Sequence, residues 1–576
     1  MNTKKIKDPV YGYIEVDEDI VRDVIDTATF QRLRNVRQTS YAPLYPAALH
    51  NRFVHSLGVY YLGKIAFESI YQSICDSQDI DSVLGTLFNL FDSNEWSNYR
   101  RLFELACLLH DVGHAPFSHT GEEFYRSSRS KVKIDVSDGT IEIEEPEKYT
   151  CLKHLAMLTR DDCFVSAAAE TSAPHEVMSA IVALSEFEDL FSNYEDKSFF
   201  ARCITGLVYK EAYQRPSEEY VKMTDEQHDD VKKKGILNCF IRTLHSSVID
   251  VDRLDYIIRD ADVTGYQSVS VDYQRLLRGM TIVLEYEDDF NFCVGFHKSA
   301  ISVIEHAVYA HDYEKRWIQG HPTILYEGYL VQQSIIEIED RLREKYSCSE
   351  STLFSYDSLT VGGSVFGNIK VRYLGDEDLL HLMKNVYHCK SSEEFFCRQS
   401  RRLPVWKSEE EFNSIFGSSE RNIISRAMEK IMIGDKAKHG GVVVNENELK
   451  LIDQEIIAAN EGRLTNAADI AKEKKRYYEA LLGACETHGI EKDVVLLSKS
   501  FFKSNFSKSD VQKLLISFRK EERPSRLSEV STTLMSNEPS NAKLIFLYYY
   551  PKKPNVRVDC IKFAKDLVDA FRPIVE

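Results

Sequence analysis

The sequence predicts a mainly α-helical protein with small β elements, and three observations support this fold class. Apolar residues recur at spacings of three and four over long stretches, as at Phe53, Leu57 and Tyr60, which is the period of one helix face. Residues 101–110 (RLFELACLLH) are almost uniformly apolar, as expected of a buried central helix. Strand-like alternation is confined to one short stretch and to the C-terminal end of the chain.

The first 345 residues are predicted to form one helical domain that carries an insertion at about 127–172. Within the insertion, KVKIDVSDGTIEIEE alternates apolar and polar residues on both sides of Asp138-Gly139. An Asp-Gly pair favours the tight turn of a β-hairpin, so a hairpin is expected here.

The rest of the chain is predicted to form two further regions. Residues 346–450 are polar and interrupted, and we expect them to be mostly helical. Residues 451–576 are expected to form a small α+β lobe, with strands at 543–550 and 556–560 followed by a helix at 561–571.

Composition excludes several classes of protein. The formal net charge is −18, so nucleic acid is not expected as a partner, since general attraction to polyanions needs a basic surface. No apolar run is long enough to span a bilayer, and no signal peptide is recognisable. The 12 cysteines form no CxxC pair, which is typical of reduced intracellular thiols. We therefore expect a soluble, cytoplasmic protein with no membrane partner.

The densest group of ionisable residues is HDVGHAPFSHTGE at 110–122. His110 and His114 are four residues apart and share a face while the helix lasts, and a glycine and a proline then break the helix. This break would bring His119 and Glu122 back over the same opening. Apolar burial does not require so many imidazoles and carboxylates, because unpaired polar groups are costly to desolvate. A polar network that only satisfies a helix end is the alternative.

A metal ion needs more ligands than His110 and Asp111 supply, and the sequence offers two further candidates. These are His55, in NRFVHS, and Asp252, in DVDRLDY. Taken singly, His55 is more typical of a core histidine and Asp252 of a salt-bridged helix start. Together, two histidines and two carboxylates suit a divalent cation. Such an ion offsets phosphoryl charge in metal-assisted phosphoester hydrolysis.

The ordered set H…HD…HE…D, with HDVGHAPFSHTGEE and DVDRLDYIIRD intact, resembles the HD-domain deoxynucleoside triphosphate triphosphohydrolases. This family includes bacterial dGTPases and a metazoan dNTPase with a SAM domain. The resemblance begins almost at residue 1, so no SAM domain is expected. It implies an HD-domain helical bundle, a homo-oligomer (dimer, tetramer or hexamer) and a reaction that converts a dNTP into a deoxynucleoside and intact inorganic triphosphate.

The resemblance also implies roles for individual residues. A divalent cation (Mg, Mn or Fe) would be held by His55, His110, Asp111 and Asp252. The catalytic set would be His119, which acts at the α-phosphate, Glu122, which orients it, and His114 and His175. The dNTP substrate would contact Arg52, Gln38, Arg253, Tyr256 and Asp260. A nucleotide activator would bind at Asp26, Gln31 and Arg34.

Two departures from the family pattern bear on the substrate. Thr39 stands where the family usually has a leucine that crowds a ribose 2′-hydroxyl, and Gln319-Gly-His321 stands where it often has Tyr-x-His-Lys. The cations that could replace the missing lysine are Lys298, Lys315 and Arg316. Two alternatives therefore stay open: an HD phosphohydrolase for a nucleoside monophosphate, cyclic or signalling nucleotide, and a nucleotide sensor without catalysis. By analogy with bacterial relatives, dNTP depletion could serve antiviral defence.

Overall fold

Helices form most of the chain, which confirms the predicted mainly α-helical fold class. The structure is a computed structural model. It describes residues 2–77, 86–127, 129–136, 139–166, 172–210, 224–246, 249–266, 270–285, 291–346, 352–366, 369–432, 441–461, 465–500, 504–505, 509–518, 524–531, 543–553 and 558–575.

The chain divides into two compact units, each assembled from separate pieces of sequence. The first unit consists of Met1–Glu314, Ile338–Leu382 and Ser504–Asn537. The second consists of Lys315–Glu337, Met383–Lys503 and Glu538–Glu576. The domain boundaries predicted near residues 345 and 450 stay predictions, because these units are defined by contacts and not by runs of sequence.

The first unit is a helical bundle with four small sheets. Its helices of six or more residues are Arg52–Cys75, Ser93–Leu109, His119–Ser127, Glu147–Thr159, Pro174–Glu186, Tyr194–Thr205, Asp225–Leu244, Val251–Thr264, Tyr273–Arg278, Ile301–Glu314 and Asp376–His381. Its strands are Thr3–Asp8, Gly12–Asp17, Arg129–Val136, Gly139–Pro146, Met280–Glu285, Asn291–His297, Ser364–Phe366, Ile369–Val371, Leu515–Ser517 and Ser525–Arg526. The last two strands extend the 280–297 hairpin, because Leu515–Ser517 pairs in parallel with residues 295–297.

Arg52–Cys75 is the central helix of this unit. It begins after Asn51, whose side chain accepts a hydrogen bond from the Val54 N–H (3.2 Å). The periodicity of the sequence predicted one buried face for this helix. The buried surface is wider than predicted, because Val59 and Leu62, outside that face, are buried as well. The helix contacts the helices Ser93–Leu109 and Val251–Thr264 and a strand, so neighbours surround it on more than one side.

The insertion contains the expected hairpin. Arg129–Val136 pairs antiparallel with Gly139–Pro146, and Ile134 lies opposite Ile141. The two residues between the strands, Ser137 and Asp138, lie outside the described residues, and Gly139 begins the second strand. The helix Glu147–Thr159 follows and packs against Pro174–Glu186, which carries His175.

The second unit is the expected small α+β lobe. Its four-stranded sheet has the order Gly441–Asn445, Asp493–Ser500, Lys543–Tyr549, Leu403–Pro404. Its longer helices are Lys390–Phe396, Glu409–Ile415, Ser418–Met432, Glu446–Glu461, Thr465–Thr487 and Cys560–Val575, and the helix Pro322–Tyr346 contributes residues to both units. Leu496, Phe546 and Phe563 lie in one buried apolar cluster between sheet and helices.

The C-terminal predictions are confirmed for the 543–550 strand and for the 561–571 helix. The strand predicted at 556–560 is wrong where the structure describes it, because the final helix begins at Cys560. The Asp559 carboxylate accepts a hydrogen bond from the Lys562 N–H (3.0 Å), as an N-cap does. In the described part of the chain, no helix is both long and apolar enough to cross a membrane, and no disulfide joins the cysteines.

Candidate functional site

Three helix ends bring the four predicted metal ligands together. They are His55 in the first turn of the central helix, His110 and Asp111 after Leu109 ends the second helix, and Asp252 in the first turn of Val251–Thr264. The His55 Nε2 atom lies 2.9 Å from Asp252 Oδ1, 3.3 Å from His110 Nε2 and 3.6 Å from Asp111 Oδ2. We call these four residues the first cluster.

The outer nitrogens of both histidines in this cluster are already engaged. His55 Nδ1 lies 2.7 Å from Asp255 Oδ2, and His110 Nδ1 lies 2.9 Å from the Cys107 carbonyl oxygen. A carbonyl can only accept, so His110 donates from Nδ1, and the neutral ring then presents an Nε2 lone pair to the cluster. Such partners orient metal-bound histidines. The donor set therefore fits a divalent cation.

Gly58 allows this geometry. A Cβ atom at this position would lie 1.9 Å from Asp255 Oδ1 and 2.5 Å from Arg259 Nη2. Only a glycine lets the central helix approach Val251–Thr264 closely enough for Asp255 to reach His55.

Neighbouring charged groups shift the pKa values of two members of the first cluster. Burial raises the pKa of Asp111, but Arg52, His110 and His55 outweigh it, so the pKa falls below its usual range. Arg52 Nη1 lies 2.6 Å from Asp111 Oδ2. Burial lowers the pKa of His55, but hydrogen bonds to Asp252 and Asp255 raise it to about 9.

The segment from His110 to His119, the catalytic loop, turns sharply between two helices. Phe117 and Ser118 have φ values of 56° and 52°, a conformation unusual for residues other than glycine. Gly113 packs on the helix Pro174–Glu186, since its added Cβ would lie 2.4 Å from the Ser179 nitrogen. This turn brings His119 back toward His114, as the sequence predicted.

The second cluster consists of His114, His119, His175 and Glu122. The His114 and His175 rings stack at 4.3 Å, and His119 lies edge-on at 5.2 and 5.3 Å from them. Glu122 Oε2 accepts a hydrogen bond from His119 Nδ1 (2.8 Å). It also lies 3.1 Å from His175 Nδ1, an ion-pair distance without the direction of a hydrogen bond.

Protonation differs among these imidazoles. Burial and the neighbouring Arg52 lower the pKa of His114 well below its usual value, so it is neutral. Burial lowers the pKa of His175, but Glu122 outweighs it and raises the pKa. Burial raises the pKa of Glu122, but the hydrogen bond from His119 and the nearby His175 outweigh it and lower the pKa, so Glu122 is ionised. His119 is the exposed member, with 68% of its side chain accessible, and a carboxylate fixes its ring. Such a histidine can transfer a proton to a substrate.

Both clusters contain three ligand atoms close enough to hold an ion. His55, His110 and Asp111 form one such group, and His114, His119 and His175 form the other. In the second group, however, the His119 and His175 Nδ1 atoms face Glu122. The first cluster is the better metal site because its outer nitrogens are engaged and its inner ones converge.

The predicted substrate contacts lie around the clusters in different environments. Arg52 is buried and also donates to Ser118 Oγ (2.9 Å), so its guanidinium spans the first cluster and the catalytic loop. Arg253 is partly exposed and lines a small cavity with His311 and Asp250. Tyr256 faces the His311 ring at 6.2 Å.

Gln38 and Asp260 are both buried and both contact His50. The Gln38 N–H donates to the His50 carbonyl (3.0 Å), and His50 Nε2 lies 2.8 Å from Asp260 Oδ1. Burial raises the pKa of Asp260 to about 7. The Gln38 Oε1, Thr39 Oγ1 and both Asp260 oxygens are buried without a hydrogen-bond partner of suitable geometry. Buried groups of this kind usually find a partner, which a bound polar ligand would supply.

Of the predicted activator residues in the first unit, Asp26 and Arg34 are exposed and Gln31 is half-buried. Arg34 Nε donates to Gln31 Oε1 (2.7 Å), and Gln31 Nε2 donates to the Ile25 carbonyl (2.7 Å). The Arg34 guanidinium stacks 3.7 Å above the Phe53 ring, and Asp26 is exposed nearby in the sequence.

The cations that could replace the missing lysine belong to different units. Lys298 is in the first unit, whereas Lys315 and Arg316 belong to the second, as do Gln319 and His321. Arg316 Nη2 pairs with Glu410 Oε1 at 2.6 Å.

Sequence reasoning missed several residues that build the site. Asp255 holds His55, and its place one turn after Asp252 in DVDRLDY was a usable signal. His50, just before Asn51, pairs with Asp260, and no sequence motif indicates this pair. Arg32 and Asp376 hold the catalytic loop from distant parts of the chain.

Comparisons with known proteins agree with this site. Residues 52–153 match the family model of the HD domain, which covers His55, His110 and Asp111. An uncharacterized protein, MG461 of Mycoplasma genitalium, is 26% identical over 303 residues, which is 52% of each chain. Deoxynucleoside triphosphate triphosphohydrolase SAMHD1 of Xenopus laevis is 28% identical over 279 residues, 48% of this chain and 36% of the relative.

Among solved structures, a hypothetical protein from Aquifex aeolicus is 17% identical, with a TM-score of 0.49 over 100% of both chains. The matches to MG461 and SAMHD1 span about half or less of those relatives' lengths.

Proposed function

We propose that this HD-domain protein is a metal-dependent phosphohydrolase that converts deoxynucleoside triphosphates into deoxynucleosides and inorganic triphosphate. One observation carries the proposal: four ligands for a cation converge, and two of them, His110 and Asp111, begin the loop that leads to an exposed histidine whose ring a carboxylate holds. Similarity to proteins named deoxynucleoside triphosphate triphosphohydrolase supports the substrate class.

The reaction needs a positioned phosphate and a proton donor. A divalent cation held by His55, His110, Asp111 and Asp252 would offset negative charge on the substrate's phosphates. Water attacks the α-phosphorus, the bond from phosphorus to the 5′-oxygen breaks, and the water oxygen leaves in the triphosphate. His119 protonates the departing 5′-oxygen, since its ring is exposed and Glu122 fixes its tautomer through Nδ1. His114, which is neutral, and His175, whose pKa Glu122 raises, flank this ring.

The remaining predicted contacts would hold the two ends of the substrate. Arg52 and Arg253 are the cations for the phosphates, and Arg52 also supports the loop through Ser118. Gln38 and Asp260 carry buried polar groups without a hydrogen-bond partner, which suit sugar hydroxyls, and Tyr256 is on the same helix as Asp260.

Regulation and assembly extend the proposal. A nucleotide activator would bind the exposed surface of Asp26, Gln31 and Arg34, where a guanidinium and an amide are available beside an aromatic ring. A homo-oligomer would place this surface at a subunit interface. We propose that the protein is cytoplasmic and that it depletes dNTPs in antiviral defence.

The test is to incubate purified protein with each dNTP and each NTP, singly and mixed, with Mg²⁺ or Mn²⁺, and to separate the products by chromatography. Deoxynucleoside and triphosphate in equal amounts are expected, and activity only in mixtures would reveal the activator. Orthophosphate or a linear nucleotide as product would indicate a different phosphohydrolase. Nucleotide binding without any product would instead indicate a sensor.

A further inference from the structure

A short turn at residues 373–376 touches both the catalytic loop and the N-terminal segment. Asp376 Oδ1 accepts a hydrogen bond from the Phe117 N–H (2.7 Å), and Asp376 Oδ2 accepts one from the Arg37 N–H (3.0 Å). The side chain is 3% exposed. One buried carboxylate therefore joins two backbone segments that are about eighty residues apart in sequence.

Arg32 completes the same arrangement from the other side. Its Nη2 atom donates to the Val112 and His114 carbonyl oxygens, both at 2.9 Å, and its Nη1 atom donates to the Leu374 carbonyl (2.8 Å). Arg32 is 3% exposed. Two charged side chains thus connect the loop, the N-terminal segment and the turn, and we call them the clamp.

The clamp acts where the backbone is least regular. Phe117 and Ser118 both have positive φ, a conformation that persists only when surrounding contacts fix it. The Asp376 bond reaches the Phe117 N–H directly, and Ser118 Oγ donates to the Arg37 carbonyl (2.5 Å). The next residue in the chain is His119.

Gly375 allows the turn to lie close to Asn35 in the N-terminal segment. A Cβ atom at this position would lie 2.9 Å from the Asn35 carbonyl oxygen and 3.0 Å from Asn35 Cβ. A larger residue would push the turn, and Asp376 with it, away from the N-terminal segment.

We propose that Asp376 is a positioning residue for catalysis: it holds the Phe117–Ser118 turn so that His119 stays on Glu122 and beside the other two histidines. Asp376 touches no member of either cluster in the described contacts, so it acts through the loop. The effect on turnover rests on the proposed function, whereas the effect on loop order does not.

The test compares Asp376→Asn with wild type in the full-length protein. The amide oxygen can replace only one of the two carboxylate oxygens, so one of the two bonds from the Phe117 and Arg37 N–H groups is lost. The size of the side chain stays the same. We expect kcat for a dNTP to fall about ten- to hundredfold, because small misplacements of catalytic groups have effects of this order. KM should change less than about twofold, since Gln38 keeps its own bond to the His50 carbonyl.

Asp196→Asn is the matched control. Asp196 is also buried in the first unit and accepts bonds from the Ser192 N–H (3.1 Å) and the Asn98 side-chain amide (2.9 Å). Asn98 lies near the start of the helix Ser93–Leu109, whose other end leads into the catalytic loop. This variant should lose thermal stability but keep kcat. Gly375→Ala is a second probe, which displaces the turn and retains the carboxylate; it should lower kcat in the same direction.

Hydrogen–deuterium exchange supplies a readout that does not depend on substrate. Backbone amides in peptides covering residues 112–122 should exchange faster in Asp376→Asn and in Gly375→Ala, but at the wild-type rate in Asp196→Asn. If the wild type hydrolyses no dNTP, the proposed function fails while exchange still tests the clamp. Wild-type exchange in the loop of Asp376→Asn, or an equal loss of kcat in Asp196→Asn, would overturn the proposal.

Discussion

The two histidine clusters of the first unit use the same side chains in opposite ways. In the first cluster the outer nitrogens of His55 and His110 are engaged by Asp255 and a carbonyl, so the inner nitrogens face one another. In the second cluster two Nδ1 atoms face a single carboxylate, Glu122. The partner of each ring thus determines whether an imidazole can serve as a metal ligand or as a proton donor.

Exposure separates the clusters further. Most members of the first cluster are almost fully buried, whereas the His119 side chain is 68% accessible. A buried, convergent set suits a resident cation, and an exposed ring suits contact with a substrate that comes and goes. The difference predicts distinct consequences for mutations in the two clusters.

The largest effect is expected from Asp111→Asn. It removes a predicted ligand and leaves buried Arg52 without its carboxylate partner, so activity should fall roughly 10⁴-fold or more, since a cation contributes several kcal/mol to the stability of the transition state. Steady-state hydrolysis of a dNTP measures this loss. Asp161→Asn breaks another Arg–Asp pair, with Arg202 at 2.6 Å, and should reduce stability without a comparable loss of activity. Equal losses in both variants would contradict the assignment.

A smaller loss is expected from His119→Gln. Removing a general acid typically lowers kcat by about 10²–10⁴-fold, and we expect a value near the middle of this range. KM should change little, because the proton is needed only as the bond to the 5′-oxygen breaks. His388→Gln, at another exposed histidine beside a glutamate (3.9 Å), should have wild-type kinetics. Unchanged kcat in His119→Gln would remove this residue from the mechanism.

Next in size is Asp255→Asn, which tests the outer partner of the first cluster. The amide holds His55 less strongly, so metal affinity should fall about 10–100-fold. Titration with Mn²⁺ followed by calorimetry measures this change. Asp8→Asn is the control, because Asp8 pairs with the same Arg259 (3.0 Å) but does not touch His55. A similar loss of affinity in both variants would mean that only general destabilisation was measured.

The smallest effect concerns a third imidazole–carboxylate pair, beside the second cluster. His245 Nε2 lies 2.8 Å from Glu176 Oε1, in the first turn of the helix that carries His175. Burial lowers the pKa of His245, but Glu176 outweighs it and raises the pKa from 6.5 to about 9.

Because the folded pKa is the higher one, the pair stabilises the fold fully below pH 6.5, and this contribution disappears as the pH rises through 9. The difference in Tm between wild type and His245→Gln should therefore be largest below pH 6.5 and small above pH 9. In a Glu176→Gln background this pH dependence should be absent. A difference in Tm that grows with pH would contradict the assigned pair.

The sequence was sufficient for parts of the site that depend on local spacing. HDVGH ends a helix and DVDRLDY begins one, so the termini that carry His110 and Asp252 could be recognised from neighbouring residues. The tight turn that returns His119 to His114 also follows from local chain breakers. Asp255 could have been found by the same reasoning, since it lies one turn from Asp252.

Long-range contacts could not be found in this way. Asp376 meets Phe117 across more than 250 residues of sequence, and no local pattern distinguishes it from Glu377 or Asp378. The central helix was expected to bury one face, because periodicity reports polarity and does not report how many neighbours surround a helix. The pairing of Leu515–Ser517 with a strand of the first unit likewise depends on topology that spacing does not encode.

Metal analysis of three purified proteins tests the account most directly. Wild type, Asp111→Asn and His119→Gln would be loaded with Mn²⁺, dialysed and measured by mass spectrometry of the metal. The account predicts about one bound ion in wild type and in His119→Gln, and loss of the ion from Asp111→Asn. Loss from His119→Gln with retention in Asp111→Asn would place the ion among His114, His119 and His175 and would contradict the division of roles between the clusters.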